Sequence, residues 1–405
     1  MSSLQKAMLK NRLPPMHPMN KRDLHGGRKR DYTPVHWNQY FNNRDFVTTE
    51  RGKFCIYLSE PSEVNDSPLI VMLHGGGYSA LTWAHFSTSI TELIHCQTLA
   101  IDLRGHGETE TADDKDLSAD SLSVDVADVI LQHMKDKNVN SNVFLVGHSM
   151  GGAIAVHIAS QRLLDTCLIG LSVIDVVEGT ALDALASMQS FLRSRPSHFK
   201  SVEHAIEWSV RSGQIRNLDS AKVSMQGQII NVKTGQLASS ELWNNPETTK
   251  SSTQDDVIES LGEKINPDCI LEEEHEDNEE LNNTNASNFK PPLPPELQIL
   301  DTKKYSWRIN LSQTEQHWPG WFKGLSNMFL EVPVPKLLLL ASIDGLDRTL
   351  TVGQMQGKFQ MRVLPRCGHA VQEDRPHEVA EIVSEFLVRH KFAKLKTDVQ
   401  TTAVI

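Results

Sequence analysis

A chain of 405 residues can bury a sizeable apolar core, as one large domain with insertions or as two ordinary ones. Its formal charge of -11, from 40 Lys and Arg against 51 Asp and Glu, offers no basic surface to displace counterions from phosphates, which argues against general nucleic-acid binding. Hydrophobic residues at 39% fall below the globular average, so polar, unstructured sequence is expected to dilute a folded core.

Residues 1–34 are polar, aperiodic and rich in Lys, Arg and Pro, and read as a flexible tail; "GGRKRD" within them reads as a solvated basic cluster rather than an import signal. No apolar signal-peptide core is present, and the longest apolar runs are of strand length, so a soluble chain, not secreted and without a membrane span, is expected. The core's first part is assigned to 35–177. It opens with the antiparallel strand "KFCIYL", then the buried run "PLIVMLHGGG" and "CQTLAIDLRGHGET", each ending in glycine-rich turn sequence. Ser118 is a good N-cap for a helix that puts Leu122, Val126, Val129, Ile130 and His133 on one face. Strand "NVFLVGH", helix "MGGAIAVHIASQRL" and strand "CLIGLSVIDVV" follow.

Residues 178–232 then read as a helical cap, and 233–303 as an acidic, low-complexity insertion too polar to offset its ordering entropy, tolerated at the surface. Aromatic-rich 304–330 is expected to return to the cap. The core resumes over 331–392 with "VPKLLLLASID", "KFQMRVLP" and the amphipathic helix "PHEVAEIVSEFLVRHKF", before a flexible tail at 393–405. Strands alternating with helices indicate an α/β fold: a mostly parallel sheet covered on both faces, with its site at the carboxyl ends of the strands. Cys55, Cys96, Cys167, Cys269 and Cys367 are scattered and odd in number, and read as reduced thiols of a cytoplasmic or nuclear protein.

Gly147-His148-Ser149-Met150-Gly151 matches G-x-S-x-G between a hydrophobic strand and a helix. A serine on so sharp a turn needs glycines beside it, and the helix N-terminus favours developing negative charge. A hydroxyl also needs a base, and His369, in the loop after the last strand, is better placed than His74 and His148 in turns or His133, His157 and His390 on helices. For the carboxylate that orients the histidine, Asp175 ends one strand and Asp347, with Asp344, follows the next. Topology alone leans toward Asp347 without excluding Asp175. The oxyanion donors are expected to be the N–H of Met150 and one from "HGGGYS", with Gly76 preferred to Gly77. Asp102, Arg104 and His106 in "DLRGHGET" read as scaffold.

With these residues in place the chain resembles the α/β-hydrolases, and more narrowly the protein phosphatase methylesterases. The strings that carry the resemblance include "LHGGGYSALTW", "VGHSMGGAIAVH", "IDVVEGTALDAL", "AIEWSVRSGQIRNLDSAKVSM", "WFKGLSNMFL" and "CGHAVQED". It implies a serine carboxylesterase with Ser149, His369 and, reversing the topological preference, Asp175. The implied substrate is the C-terminal leucine methyl ester of the type 2A protein phosphatase catalytic subunit, cleaved through an acyl-enzyme that releases methanol. It also implies a triad poorly aligned until the phosphatase binds, a narrow pocket for the methylated tail, and a monomer apart from that complex. The chemistry calls for no cofactor or metal. Two alternatives stay open: a hydrolase-like protein that sequesters the phosphatase, and a general small-ester esterase.

Overall fold

The computed structural model describes residues 30–59, 67–244, 304–343 and 346–396. A hairpin opens the core: β1 (Asn43–Thr49) and β2 (Gly52–Ser59) pair antiparallel, and the two-residue strand β5 (Glu110–Thr111) adds to β2. Beside them lie β3 (Leu69–Leu73), β4 (Gln97–Ile101), β6 (Val143–His148), β7 (Leu168–Ile174), β11 (Lys336–Leu340) and β12 (Gln360–Val363). The order is β1-β2-β4-β3-β6-β7-β11-β12, parallel from β4 onward and antiparallel at β2 with β4.

Why the central strands are continuous apolar runs follows from what each face buries. Ile70 and Met72 of β3, Phe144 and Val146 of β6, and Leu337 and Leu339 of β11 enter one core cluster. Their alternate neighbours Val71, Leu73, Val143, Leu145, Leu338 and Leu340 enter the other. Strand side chains alternate, so a sheet covered twice needs apolar residues at every position. One cover contains α1 (Ala84–Leu93) and the closing helix α12 (Pro376–Arg389). The other contains α2 (Ala119–Asp136) and α3 (Met150–Ser160). Ser118 caps α2 through Ser121 N–H, and the face predicted for this helix, Leu122 to His133, is the buried one.

The cap is built from two lengths of chain. The first supplies α4 (Glu178–Ser194), the short strand β8 (His198–Phe199), α5 (Val202–Ser212), α6 (Leu218–Ser224), β9 (Ile229–Asn231) and α7 (Ala238–Asn244). The second supplies β10 (Tyr305–Trp307), a 3-10 turn at Leu311–His317 and α8 (Trp318–Phe322). They are joined by a three-stranded antiparallel sheet with β10 between β8 and β9, which sequence periodicity did not reveal because its strands are only two or three residues long. Past α8, α9 (Leu325–Glu331) leaves the cap, and its Leu325 and Phe329 join the core.

Besides the start of α9, which precedes the expected end of the cap return at 330, two expected boundaries move. The insertion assigned from residue 233 begins with ordered structure through α7, where Asn231 Nδ2 donates to Glu241. The C-terminal tail assigned from 393 starts with a paired segment: Lys394 C=O accepts His95 N–H at 2.9 Å, and Lys396 N–H donates to Leu93 C=O at 3.0 Å. Residues 1–29, 245–303 and 397–405, which hold the rest of the tails, the acidic block and Cys269, lie outside the described residues. Cys55, Cys96, Cys167 and Cys367 are buried free thiols.

Candidate active site

Ser149 stands where β6 becomes α3, with φ 51° and ψ −119°. This conformation costs an ordinary residue on the order of 1–3 kcal/mol and persists only where its surroundings enforce it. Here they do. Ser149 N–H donates to Ile174 C=O at 2.9 Å, tying the turn to the end of β7. A Cβ at Gly147 would stand 2.3 Å from Gly151 C=O, and one at Gly151 would stand 2.3 Å from Leu73 C=O. Strand and helix therefore approach closely only because both flanking positions lack a side chain.

Asp175 follows β7 directly, with φ 52° and its backbone N–H donated to Leu339 C=O at 2.8 Å. Its Oδ1 accepts Ala341 N–H at 2.9 Å, and its Oδ2 lies 2.8 Å from His369 Nδ1. Because a carboxylate only accepts, Nδ1 carries the proton and Nε2 is left as the base-competent nitrogen. Burial pushes the Asp175 carboxyl up, but the His369 hydrogen bond and charge with the Ala341 N–H outweigh it and hold the group below the usual carboxylate value. Ser149 and His369 line the same two cavities, of about 620 and 340 Å³, and Asp175 lines the smaller. Among the described residues no hydrogen bond joins Ser149 to His369.

Asp347, the carboxylate preferred on topology, has another task. It caps α10 (Arg348–Met355), accepting Leu350 N–H at 2.8 Å, and also accepts the Ser326 hydroxyl. The physical reason is position: β7 is β6's neighbour in the sheet, so a residue at its very end is one strand from Ser149, whereas Asp347 lies seven residues beyond β11. Asp344 lies outside the described residues.

The glycine loop after β3 divides its amides. Tyr78 N–H closes a turn on Gly75 C=O, and Gly77 N–H is donated to His106 Nε2 at 2.9 Å. Gly77 N–H is thereby spent, whereas among the described residues no hydrogen bond engages Gly76 N–H. A Cβ on Gly76 would sit 3.8 Å from Met150 Sδ, so this loop lies against the start of α3, whose first N–H has no intrahelical partner. His106 keeps its other nitrogen for Arg104 C=O, and burial lowers its pKa to about 4, so it is neutral. Asp102 accepts the N–H groups of Ala80 and Glu108, while Arg104 forms a buried ion pair with Asp125 at 2.7 Å. These are scaffold contacts, and they hold the loop.

Three residues escaped the sequence reading. His148, read as part of a turn, places Nε2 2.8 Å from His369 C=O, linking the serine's neighbour to the histidine's backbone. Burial foremost, then the charge of His369, lowers it to about 3. Glu373, four residues after His369, is fully buried on the short helix α11 (Val371–Asp374) and accepts the hydroxyls of Thr82 and Ser224. Arg195, at the end of α4, lines the larger cavity with Tyr78, Leu185, Met188, Trp208 and Trp318. A carboxylate inside the "CGHAVQED" string and an arginine after a cap helix carry no pattern that marks them in one sequence.

A family model described as "Alpha/beta hydrolase family" matches residues 70–233 and 274–382. "Protein phosphatase methylesterase 1" of Mus musculus is 48% identical to the chain, covering 97% of each, and that of Homo sapiens is 47% identical with the same coverage. "Probable protein phosphatase methylesterase 1" of Caenorhabditis elegans is 37% identical over 97% of this chain and 86% of its own length. Among solved structures, E-2-(acetamidomethylene)succinate hydrolase superposes with a TM-score of 0.56 at 15% identity, covering 85% of this chain and 99% of that one, a likeness of fold alone.

Proposed function

Because the chain belongs to the alpha/beta hydrolase family and, within it, to the protein phosphatase methylesterases, we propose that it hydrolyses the C-terminal leucine methyl ester of the type 2A protein phosphatase catalytic subunit through a Ser149 acyl-enzyme. The observation that carries the mechanism is the 2.8 Å Asp175 to His369 contact, both residues lining the smaller cavity with Ser149. In this reading His369 Nε2 takes the hydroxyl proton as Ser149 attacks the ester carbonyl, and Asp175 fixes the tautomer and stabilises the imidazolium. The amides of Met150 and Gly76 receive the oxyanion. His369 then protonates the departing methoxide, which leaves as methanol. Water, deprotonated by the same nitrogen, attacks the acyl-enzyme and frees the leucine carboxylate. In this reading the serine–histidine bond forms when the phosphatase tail enters.

The test follows the ester on methylated phosphatase with the wild-type chain and with Ser149→Ala. Wild type releases methanol and Ser149→Ala releases none above background. Demethylation by Ser149→Ala at the wild-type rate would remove the nucleophile.

A further inference from the structure

The larger cavity has an unbalanced wall. Its described lining residues include several apolar side chains and no Asp or Glu, yet Arg195 is among them. Among the described residues the Arg195 side chain has no hydrogen bond or ion pair, and its Nε is shut off from solvent without a partner. The Trp307 ring lies close, with Cζ 3.5 Å from the ring centroid. Stacking occupies the face of a guanidinium and leaves its N–H donors, which lie in the plane, unspent. The group also borders the oxyanion loop: a Cβ on Gly77 would stand 3.8 Å from one of its terminal nitrogens. Burial draws the guanidinium down to about 10, against a smaller opposing pull from Tyr78, which is the behaviour of a desolvated cation lacking an anion. A cation held this way is costly unless something pairs with it.

We infer that Arg195 is an anion subsite of the Ser149 cavity, taking a carboxylate of the bound peptide. The inference rests on the proposed methylesterase reading and adds to it a demand on the substrate. Carboxylate is the matching chemistry because it meets a guanidinium fork with two parallel hydrogen bonds, whereas the intact methyl ester carries no charge. Two sources supply one: an acidic side chain upstream of the ester, or the C-terminal carboxylate that hydrolysis creates. Arg195 would be a specificity residue in the first case and a product-holding residue in the second.

Synthetic peptide methyl esters that differ only in Asp against Asn, or Glu against Gln, separate these sources when assayed with wild type, Arg195→Met and Arg195→Lys. If an acidic side chain is bound, Arg195→Met raises KM for the acidic ester by at least about tenfold more than for its neutral twin, with little change in the kcat ratio. Arg195→Lys recovers part of that difference. If the released carboxylate is bound, the two esters suffer alike, and the inhibition constant of the demethylated peptide rises by about tenfold instead. Equal losses on acidic ester, neutral ester and p-nitrophenyl acetate, with product inhibition unchanged, would reduce Arg195 to a staple between α4 and β10 and overturn the inference. So would the absence of any effect. Peptide binding to the Ser149→Ala chain, with and without Arg195→Met, is titrated by tryptophan fluorescence. A wild type that turns over no peptide ester would defeat the methylesterase reading, while the titration still decides Arg195.

Discussion

At the level of single residues, the two aspartates that compete for His369 divide into different kinds of work, and each makes its own prediction. Asp175 gives one oxygen to His369 and the other to the Ala341 amide, so it is held by two partners and orients the imidazole. Asp175→Asn keeps the shape but favours the wrong tautomer, and kcat is expected to fall roughly a thousand- to ten-thousand-fold with the thermal midpoint little altered. Asp347 accepts the Leu350 amide at the start of α10, so Asp347→Ala should cost about 1 kcal/mol of stability, read as a lower urea midpoint, and leave kcat within a factor of two or three. The opposite pattern, a large kcat loss confined to Asp347, would return the acid to the later strand. A single sequence could not decide between them, because both sit in loops that follow apolar strands. The decisive facts are the order of those strands in the sheet and the six residues separating Asp347 from Leu340, and neither has a periodic signature.

At the level of elements, the clearest signals came from uniformly buried faces, although "KFQMRVLP" also marked β12, whose residues are half-buried or exposed. β3, β6 and β11 announce themselves as apolar runs because both faces are covered, and α2 announces itself by its buried stripe. β1 was not foreseen: it lies at the sheet's edge, and only Val47 among its residues is fully buried, so "NRDFVTT" carries too little apolar signal. The same limit hid the contacts of α11. This short helix joins the histidine loop to α6 and to the turn at Ala80–Trp83 through Glu373, whose carboxyl burial raises to about 8, the hydroxyls of Thr82 and Ser224 offsetting part of the effect. Unfolded, the group ionises near its ordinary value of 4.5, so between there and about 8 the folded chain holds a proton that the unfolded chain has lost. The stability this supplies is complete below the unfolded value and declines as the pH rises through that window. The buried neutral His106 and His148 make stability rise with pH up to their ordinary value of 6.5 in both chains, so it is the wild-type urea midpoint relative to that of Glu373→Gln, which cannot ionise, that should fall between about pH 5 and 8. Parallel slopes for the two chains would mean that Glu373 does not carry the dependence.

Across the whole molecule, the parallel sheet was legible in outline and the cap only in part. A helical cap over 178–232 was foreseen, but α7, which falls in the stretch read as insertion, and the pairing that unites the cap's two lengths were not. That pairing is substantial: β10 lies between β8 and β9, Lys304 N–H donates to Phe199 C=O at 3.0 Å, Val232 N–H to Lys304 C=O at 2.9 Å, and Arg308 N–H to Gln228 C=O at 2.8 Å. Each half also reaches the core independently, Trp321 Nε1 through Leu117 C=O and Ser220 through Glu373 C=O. Covalent continuity between residues 245 and 303 is then dispensable for holding the cap. A chain cut once by a protease within that span should elute as a single particle in native chromatography, retain esterase activity, and separate into two fragments only in denaturant. In such a nicked molecule the two polypeptides would behave as subunits of a heterodimer, each bringing part of one cavity.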